Sequence, residues 1–428
     1  MKFTMTPAET LAAARAPEPG DEGYDPFEAF DVGQGAEAVA DPYPIFTEVL
    51  AECPVHHGSM EDWFGIESVS DVIAAGRPIA NIYSYTGVES VLRDGETFSS
   101  SGYAESMGEV MGHTILEMDE PEHGQYRALL QHAFSRREMD RWENDIVNPV
   151  VDHYIDAFAA RGRADLVPEL MFMFPVHVIA IALGLPEADL PVFYRKTVEL
   201  INMAKGPERG YVASKWLYDY LEPVVKERRA NPQDDLFSIL VKAELEDGKR
   251  LTDDEIIGFG RLLLPTGAET TYRASSNMMV GLLSNPDQFE AVRADRSLIN
   301  AAIEETLRWE TPLTGITRMC MTDSEVEGEA VAAGSFVDVS LGSANHDPSR
   351  WESPDRFDIF RQKKVSMSFG AGPHLCLGIN LARMEMRVVL ERLLDRLPGL
   401  RFDPDAESPE IVGLGFRSPA SLNVMWDV

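Results

Sequence analysis

Cysteine is scarce in this chain of 428 residues: there are three, Cys53, Cys320 and Cys376, odd in number and far apart. They offer no disulfide framework, and such usage suits a reducing, cytoplasmic compartment. Positive charge is scarce too. Only 38 Lys and Arg stand against 71 Asp and Glu, a formal net charge of -33. Nucleic acid is excluded as a partner because its phosphates would be repelled, and acidic membrane surfaces are disfavoured on the same ground. Long apolar runs are missing as well. "LMFMFPVHVIAIALGLP" (170–186) carries no charge, but Pro175 and His177 interrupt it and it falls short of the ~20 residues of a membrane span. It predicts a buried core helix. The N-terminus lacks the basic region and apolar core of a secretory signal, so none is expected. Internal repeats are absent, which excludes solenoids.

What remains is an ordinary globular composition, 44% hydrophobic, 25% charged and 9% aromatic. Thirteen acids against Lys2 and Arg15 between Met1 and Asp62 predict an acidic, partly mobile leader over residues 1–40. No linker rich in Pro, Ser or Gly divides the rest, so 41–428 is expected to be a single domain. "NIYSYTGVESVLRDGETFSSS" (81–101) reads as a short strand and an amphipathic helix. In "EMDRWENDIVNPVVDHYIDAFAARG", Trp142, Ile146, Val150 and Tyr154 recur every four residues, one face of a helix. "LTDDEIIGFGRLLLPTGAETTYRASSNMMVGLLSNP" (251–286) opens on a capping box, Thr252 and Glu255. Its interior is apolar nearly all round, as in a helix crossing a large core, yet Pro265, Thr266 and Gly267 weaken its middle. Short β-like pieces follow residue 311, and "GLGFRSPASLNVMW" reads as a terminal hairpin.

The lone Cys376 lies in a glycine-rich bend, "SFGAGPHLCLGINLARMEMRVVLERL" (368–393). Leu377, Leu381, Met384 and Val388 repeat at helical spacing, so a helix starts at or just after the cysteine. The free N–H groups and dipole of that N-terminus favour thiolate over thiol. Gly370, Gly372 and Gly378 clear room for a flat ligand. Three chemistries stay open: a nucleophile with His346 or His374 as base, a zinc ligand paired with His374, or an axial ligand to iron. Zinc lacks a second His or Cys pair.

The loop "FGAGPHLCLG", with Phe369, Gly370, Gly372, His374, Cys376 and Gly378, resembles the haem-thiolate loop of the cytochrome P-450 family. Three further motifs follow that family's order: "EPEHGQYR" (120–127), "TGAETT" (266–271), and "EETLR" with "PDRF" (354–357). The resemblance runs from "DPYPIF" (41–46) to the end. It implies a mainly α fold with a small β-rich lobe, a haem b cofactor, and Cys376 as the iron ligand. Phe369 and Gly370 would border the haem, and His123, Arg127, Arg318 and His374 would bind its propionates, for which cationic donors are suited. Glu305, Arg308 and Arg356 would form a buried structural network. Glu269 and Thr270 would be the catalytic pair, a carboxylate and a hydroxyl that hold water and deliver protons where O2 is reduced. The plain alternative for Thr270 is a hydroxyl bonded back to its own helix.

The resemblance further implies insertion of one oxygen atom from O2 into a hydrophobic small molecule. With no flavin or iron–sulfur domain expected in the chain, electrons would come from a separate ferredoxin and ferredoxin reductase using NAD(P)H. Met111, Ile115, Leu263, Thr266, Gly267, Leu313, Ile316 and Phe416 would line the substrate pocket. A peroxide-driven peroxygenase or isomerase and a non-catalytic haem sensor are the rival readings. Two departures from the family stand out: an extra segment around 58–80, and His346 of "ANHDP" where the family more often has Arg.

Overall fold

The computed structural model describes residues 3–18, 21, 23–202 and 207–428. Helices dominate, and they pack around one helix of 32 residues, Asp253–Ser284, here the central helix. The predicted capping box closes its start: Thr252 accepts from the Glu255 N–H, and Glu255 caps the Thr252 N–H in return. Pro265 leaves one carbonyl without its helical donor, but the helix continues through it unbroken. The expected midpoint defect is thus smaller than the sequence suggests. The large core wraps this helix, and Trp142, Ile146, Val150 and Tyr154 all enter it. The uncharged run folds as the buried helix Phe174–Ala182, as its composition requires.

The β-rich lobe is a five-stranded sheet. Its strands are β1 (Val55–His57), β2 (Ile79–Ile82), β3 (Phe98–Ser99), β4 (Gly315–Cys320) and β5 (Phe336–Ser340), in the order β1-β2-β5-β4-β3. The β2–β5 pair is parallel and the others are antiparallel. The extra segment fills the connection between β1 and β2. Its helix Val69–Ala74 sets Ile73 and Ala74 against Ile79 and Phe336. The predicted terminal hairpin is instead two ladders. Ile411–Val412 pairs with Ser418–Pro419, while Asn423–Met425 joins Arg163–Asp165 and Arg401–Phe402.

The stretch read as a partly mobile leader contributes two helices, Pro7–Ala14 and Pro26–Gly33. Ala14, Phe27 and Phe30 are buried in the main core. Leader acids also find buried bases: Lys196 donates to Glu18 at 2.9 Å, and Arg195 pairs with Asp21. A stretch with high charge and few apolar residues packs here because those cations lie on the helix Leu190–Ile201 beneath it.

Candidate active site

The bend before Cys376 is shaped by glycine. Gly370 and Gly372 have φ of 69° and 70°, the left-handed region that side chains rarely tolerate. A Cβ at Gly372 would strike the Leu92 carbonyl oxygen, and one at Gly378 would stand 3.9 Å from the Cys376 sulfur. The Cys376 N–H donates to the Phe369 carbonyl at 3.0 Å, closing the loop. The following helix runs Ile379–Arg396, and Leu381, Met384 and Val388 are buried as their spacing predicts. Burial pushes the Cys376 thiol above its usual range, while the Gly378 N–H and the Arg127 and Arg383 guanidinia pull the other way. Burial therefore outweighs the helix N-terminus, contrary to the sequence expectation. A coordinating metal cation reverses that balance, because it deprotonates a thiol outright.

Four basic side chains converge beside this loop. The His123 and His374 rings stand 4.0 Å apart. Arg127 donates to the Leu375 carbonyl at 2.7 Å. His123 is buried, with Nδ1 on Glu120 and Nε2 lacking any partner. Arg318 is also buried and bonds to the Thr317 carbonyl at 2.7 Å. Burial lowers His374 to about 3, helped by the charges of His123, Arg318 and Arg127. Two guanidinium groups and two imidazoles gathered at one place, with a buried ring nitrogen of His123 unpartnered, offer donors to an anion. Their donor chemistry suits the two propionates of a haem.

The central helix, which packs against the cysteine helix, opens at one place. From Ile256 to Leu283 every residue is buried except Thr266, Gly267 and Thr270. These positions, at i, i+1 and i+4, share a face. Here the Thr270 hydroxyl donates to the Thr266 carbonyl at 3.0 Å, and Thr266 to the Leu262 carbonyl at 2.7 Å. Thr270 is thus bonded back to its helix and makes no hydrogen bond to Glu269. Glu269 itself is buried, 3.3 Å from Arg273 Nη2. Burial raises its carboxyl to about 7, against the pull of Arg273. That places a buried acid able to exchange protons near neutral pH beside the exposed hydroxyl face.

The structural network departs from the sequence reading at one member. Arg308 grips Glu305 as expected, but the third residue is Arg361, with Nε 3.3 Å from Glu305 Oε1. The Arg356 side chain is exposed, and only its backbone carbonyl enters, accepting from Arg308 and Arg361. Either arginine satisfies the spacing, and the turn at 353–361 decides which one points inward. The family's missing Arg is replaced by a buried neutral ring. His346 stacks 3.6 Å from Tyr43, and burial depresses it to about 3. Sequence reasoning also missed Arg273 and Asp31, and Glu385. The last lies on the cysteine helix, where burial raises it well above the usual carboxylate range against the pull of the Thr271 hydroxyl.

The residues expected to line the pocket divide into two groups. Met111 and Leu263 are buried in the main core. Ile115, Gly267, Leu313, Ile316 and Phe416 are partly exposed, Thr266 more so. Leu313 and Phe416 meet through an antiparallel bridge.

Residues 200–411 match the family model described as Cytochrome P-450. The cytochrome P-450 monooxygenase PikC of Streptomyces venezuelae is 34% identical over 86% of this chain and 87% of its own length. The steroid C26-monooxygenase of Mycolicibacterium smegmatis is 34% identical over 86% of this chain and 93% of its own. The crystal structure of CYP109E1 from Bacillus megaterium with testosterone superposes with a TM-score of 0.79 at 29% identity, covering 91% of this chain and 100% of that one. With a mainly α fold, one cysteine in a glycine-shaped bend and these relatives, the chain belongs to the cytochrome P-450 family of haem-thiolate oxidoreductases.

Proposed function

We propose that the protein is a monooxygenase that inserts one oxygen atom of O2 into a hydrophobic small molecule. The observation that carries this reading is the single opening of the buried central helix at Thr266, Gly267 and Thr270, next to the buried acid Glu269. A sensor or carrier has no use for a proton-exchanging acid at that place.

Cys376 would hold the iron of haem b, and Arg127, Arg318, His123 and His374 its propionates. The haem, when bound, supplies the oxygen chemistry and the thiolate tunes it. The chain's own part is proton handling and orientation. Glu269 takes a proton at its carboxylate and passes it toward the exposed face. Thr270 turns its hydroxyl from the Thr266 carbonyl toward the opening and holds water there. The partly exposed apolar side chains of Ile115, Leu313, Ile316 and Phe416 present few fixed polar groups, which favours a lipophilic substrate such as a steroid or terpenoid. The steroid-oxidising relative is consistent with that choice.

Among the described residues no helix is long and apolar enough to cross a membrane. We place the protein in the cytoplasm, reduced by a separate ferredoxin and its reductase. Of the basic residues from Arg356 to Arg392, Arg361, Arg383, Arg387 and Arg392 pair with acids of the chain itself. The exposed Arg356, Lys363 and Lys364 form no ion pair among the described residues and remain for a partner, together with exposed Phe360, Val365 and Leu375.

Two measurements test the reading. The reduced carbon monoxide complex should show the red-shifted Soret band of thiolate ligation, and Cys376→Ser should lose it. Turnover of a steroid or terpenoid panel should require a surrogate ferredoxin with NAD(P)H. Turnover supported by hydrogen peroxide alone would make the protein a peroxygenase, and none under either condition would make it a sensor.

A further inference from the structure

Among the described residues Glu269 has one cationic neighbour, Arg273, and shares it with a second carboxylate. Arg273, one turn along the central helix, sends Nη2 to Asp31 Oδ1 at 2.5 Å and to Glu269 Oε2 at 3.3 Å. Its Nη1 donates to Ser418 Oγ at 3.0 Å, and its Nε is buried without a partner. Asp31 belongs to the leader helix Pro26–Gly33. Two aromatic contacts set that helix in place. Phe27 meets Phe172 edge-on with centroids 5.1 Å apart, and Phe30 lies 5.5 Å from Phe416. The Arg273 guanidinium lies over Phe30, Phe416 and Tyr272 at 4.7 to 5.8 Å. Its side chain is 3% exposed and that of Glu269 6%, against 38% for Asp31.

Charge counting gives this arrangement a consequence. With Asp31 ionised, Arg273 is already neutralised, and a second ionised carboxylate leaves a net negative charge in a buried site. The neutral state of the trio is the one in which Glu269 holds a proton. Without Asp31 the neutral state is an ionised Glu269 locked to Arg273, and a buried pair of that kind is costly to break. We propose that Asp31, on the N-terminal leader, is a positioning residue for oxygen activation: by holding Arg273 it frees Glu269 to take up and release protons. The proposal rests on the reading of Glu269 as the proton-delivering acid. The leader thereby becomes a working part of the site.

Other titratable groups facing Glu269 do not supply this control. Among the described residues these are Tyr194, on the helix Leu190–Ile201, and Tyr272, both kept protonated by burial. Asp31 and Arg273 are the charged ones. The direction in which Glu269 moves agrees: burial raises it, Arg273 lowers it, and Asp31 raises it.

The test uses haem-loaded protein and reads the Glu269 carboxyl directly, by infrared titration of the protonated-carboxyl band that Glu269→Gln removes. Asp31→Asn should move its midpoint down by about one pH unit, the effect of one nearby charge. The rate of product formation should fall, with a larger solvent deuterium effect. Asp31→Glu should restore both. Ser418→Ala, which removes a bond to the same guanidinium but no charge, should leave the midpoint in place. An unchanged midpoint in Asp31→Asn, or an equal displacement in Ser418→Ala, overturns the proposal. If the midpoint moves but Glu269→Gln keeps full product yield, the proton-delivery reading fails and the role of Asp31 fails with it, while the ionic contact itself stands.

Discussion

Arg361 Nε stands 3.3 Å from Glu305 Oε1, while Arg308 grips the same carboxylate through two bonds of 2.7 and 2.9 Å. Two guanidinium groups thus converge on one buried acid, and the backbone carbonyls of residues 345, 352, 353, 354 and 356 take up their remaining donors. Arg361→Ala is expected to cost about 1–3 kcal/mol, because it takes the donors away from the Glu352, Ser353 and Arg356 carbonyls and leaves Glu305 to Arg308 alone. Arg356→Ala should stay within about 0.5 kcal/mol of the parent, the usual range for exposed positions. Denaturant midpoints of the two variants check this, and equal losses would return Arg356 to the network.

Thr270→Ala removes a hydroxyl that here bonds only to its own helix, so stability should change by less than about 1 kcal/mol. Haem content and substrate affinity should also persist. NAD(P)H consumption should continue while product per electron falls and hydrogen peroxide is released. Thr270→Ser should keep coupling. Full coupling in the alanine variant would mean that this hydroxyl does not manage protons.

The exposed lysines Lys363 and Lys364 give a salt-dependent expectation. Lys363→Glu with Lys364→Glu should slow reduction by an acidic ferredoxin at low ionic strength, and the difference should shrink as salt screens it. Lys364 bonds the Arg350 carbonyl at 2.5 Å, so a thermal melt of the double variant separates lost docking from lost structure. Stopped-flow reduction that ignores both substitutions places the dock elsewhere.

Asp338 on β5 is buried under the extra segment, where burial raises it to about 7 despite a bond from Ser70. Its pKa in the folded chain lies above that in the unfolded one, so the folded chain holds the proton more tightly. The resulting stability is complete below about pH 4 and is lost as pH rises through about 7; each pH unit separating the two values contributes ~1.4 kcal/mol. Asp338→Asn should flatten the pH dependence of unfolding over that window. An unaltered slope would mean that Asp338 is not protonated in the folded state.

The sequence alone determined the local features here. Periodicity placed the helices around Trp142–Tyr154 and after Cys376, and the capping box placed the start of the central helix, because these depend on residues within one or two turns of each other. The glycine pattern around Cys376 fixed the bend, since positive φ at Gly370 and Gly372 is a backbone requirement that few other residues meet. Only the tertiary structure decided which of Arg356 and Arg361 reaches Glu305, since both lie within reach along the chain and the turn between them selects one. It also decided the surroundings of Glu269. Nothing in "TGAETT" indicates that Arg273 is shared with Asp31, 242 residues away. Charge pattern gave the leader the look of a solvated tail, because composition counts acids without showing which buried cations receive them. Burial, the largest influence on Glu269, Cys376 and Asp338, arises from the whole packed molecule and has no local signature.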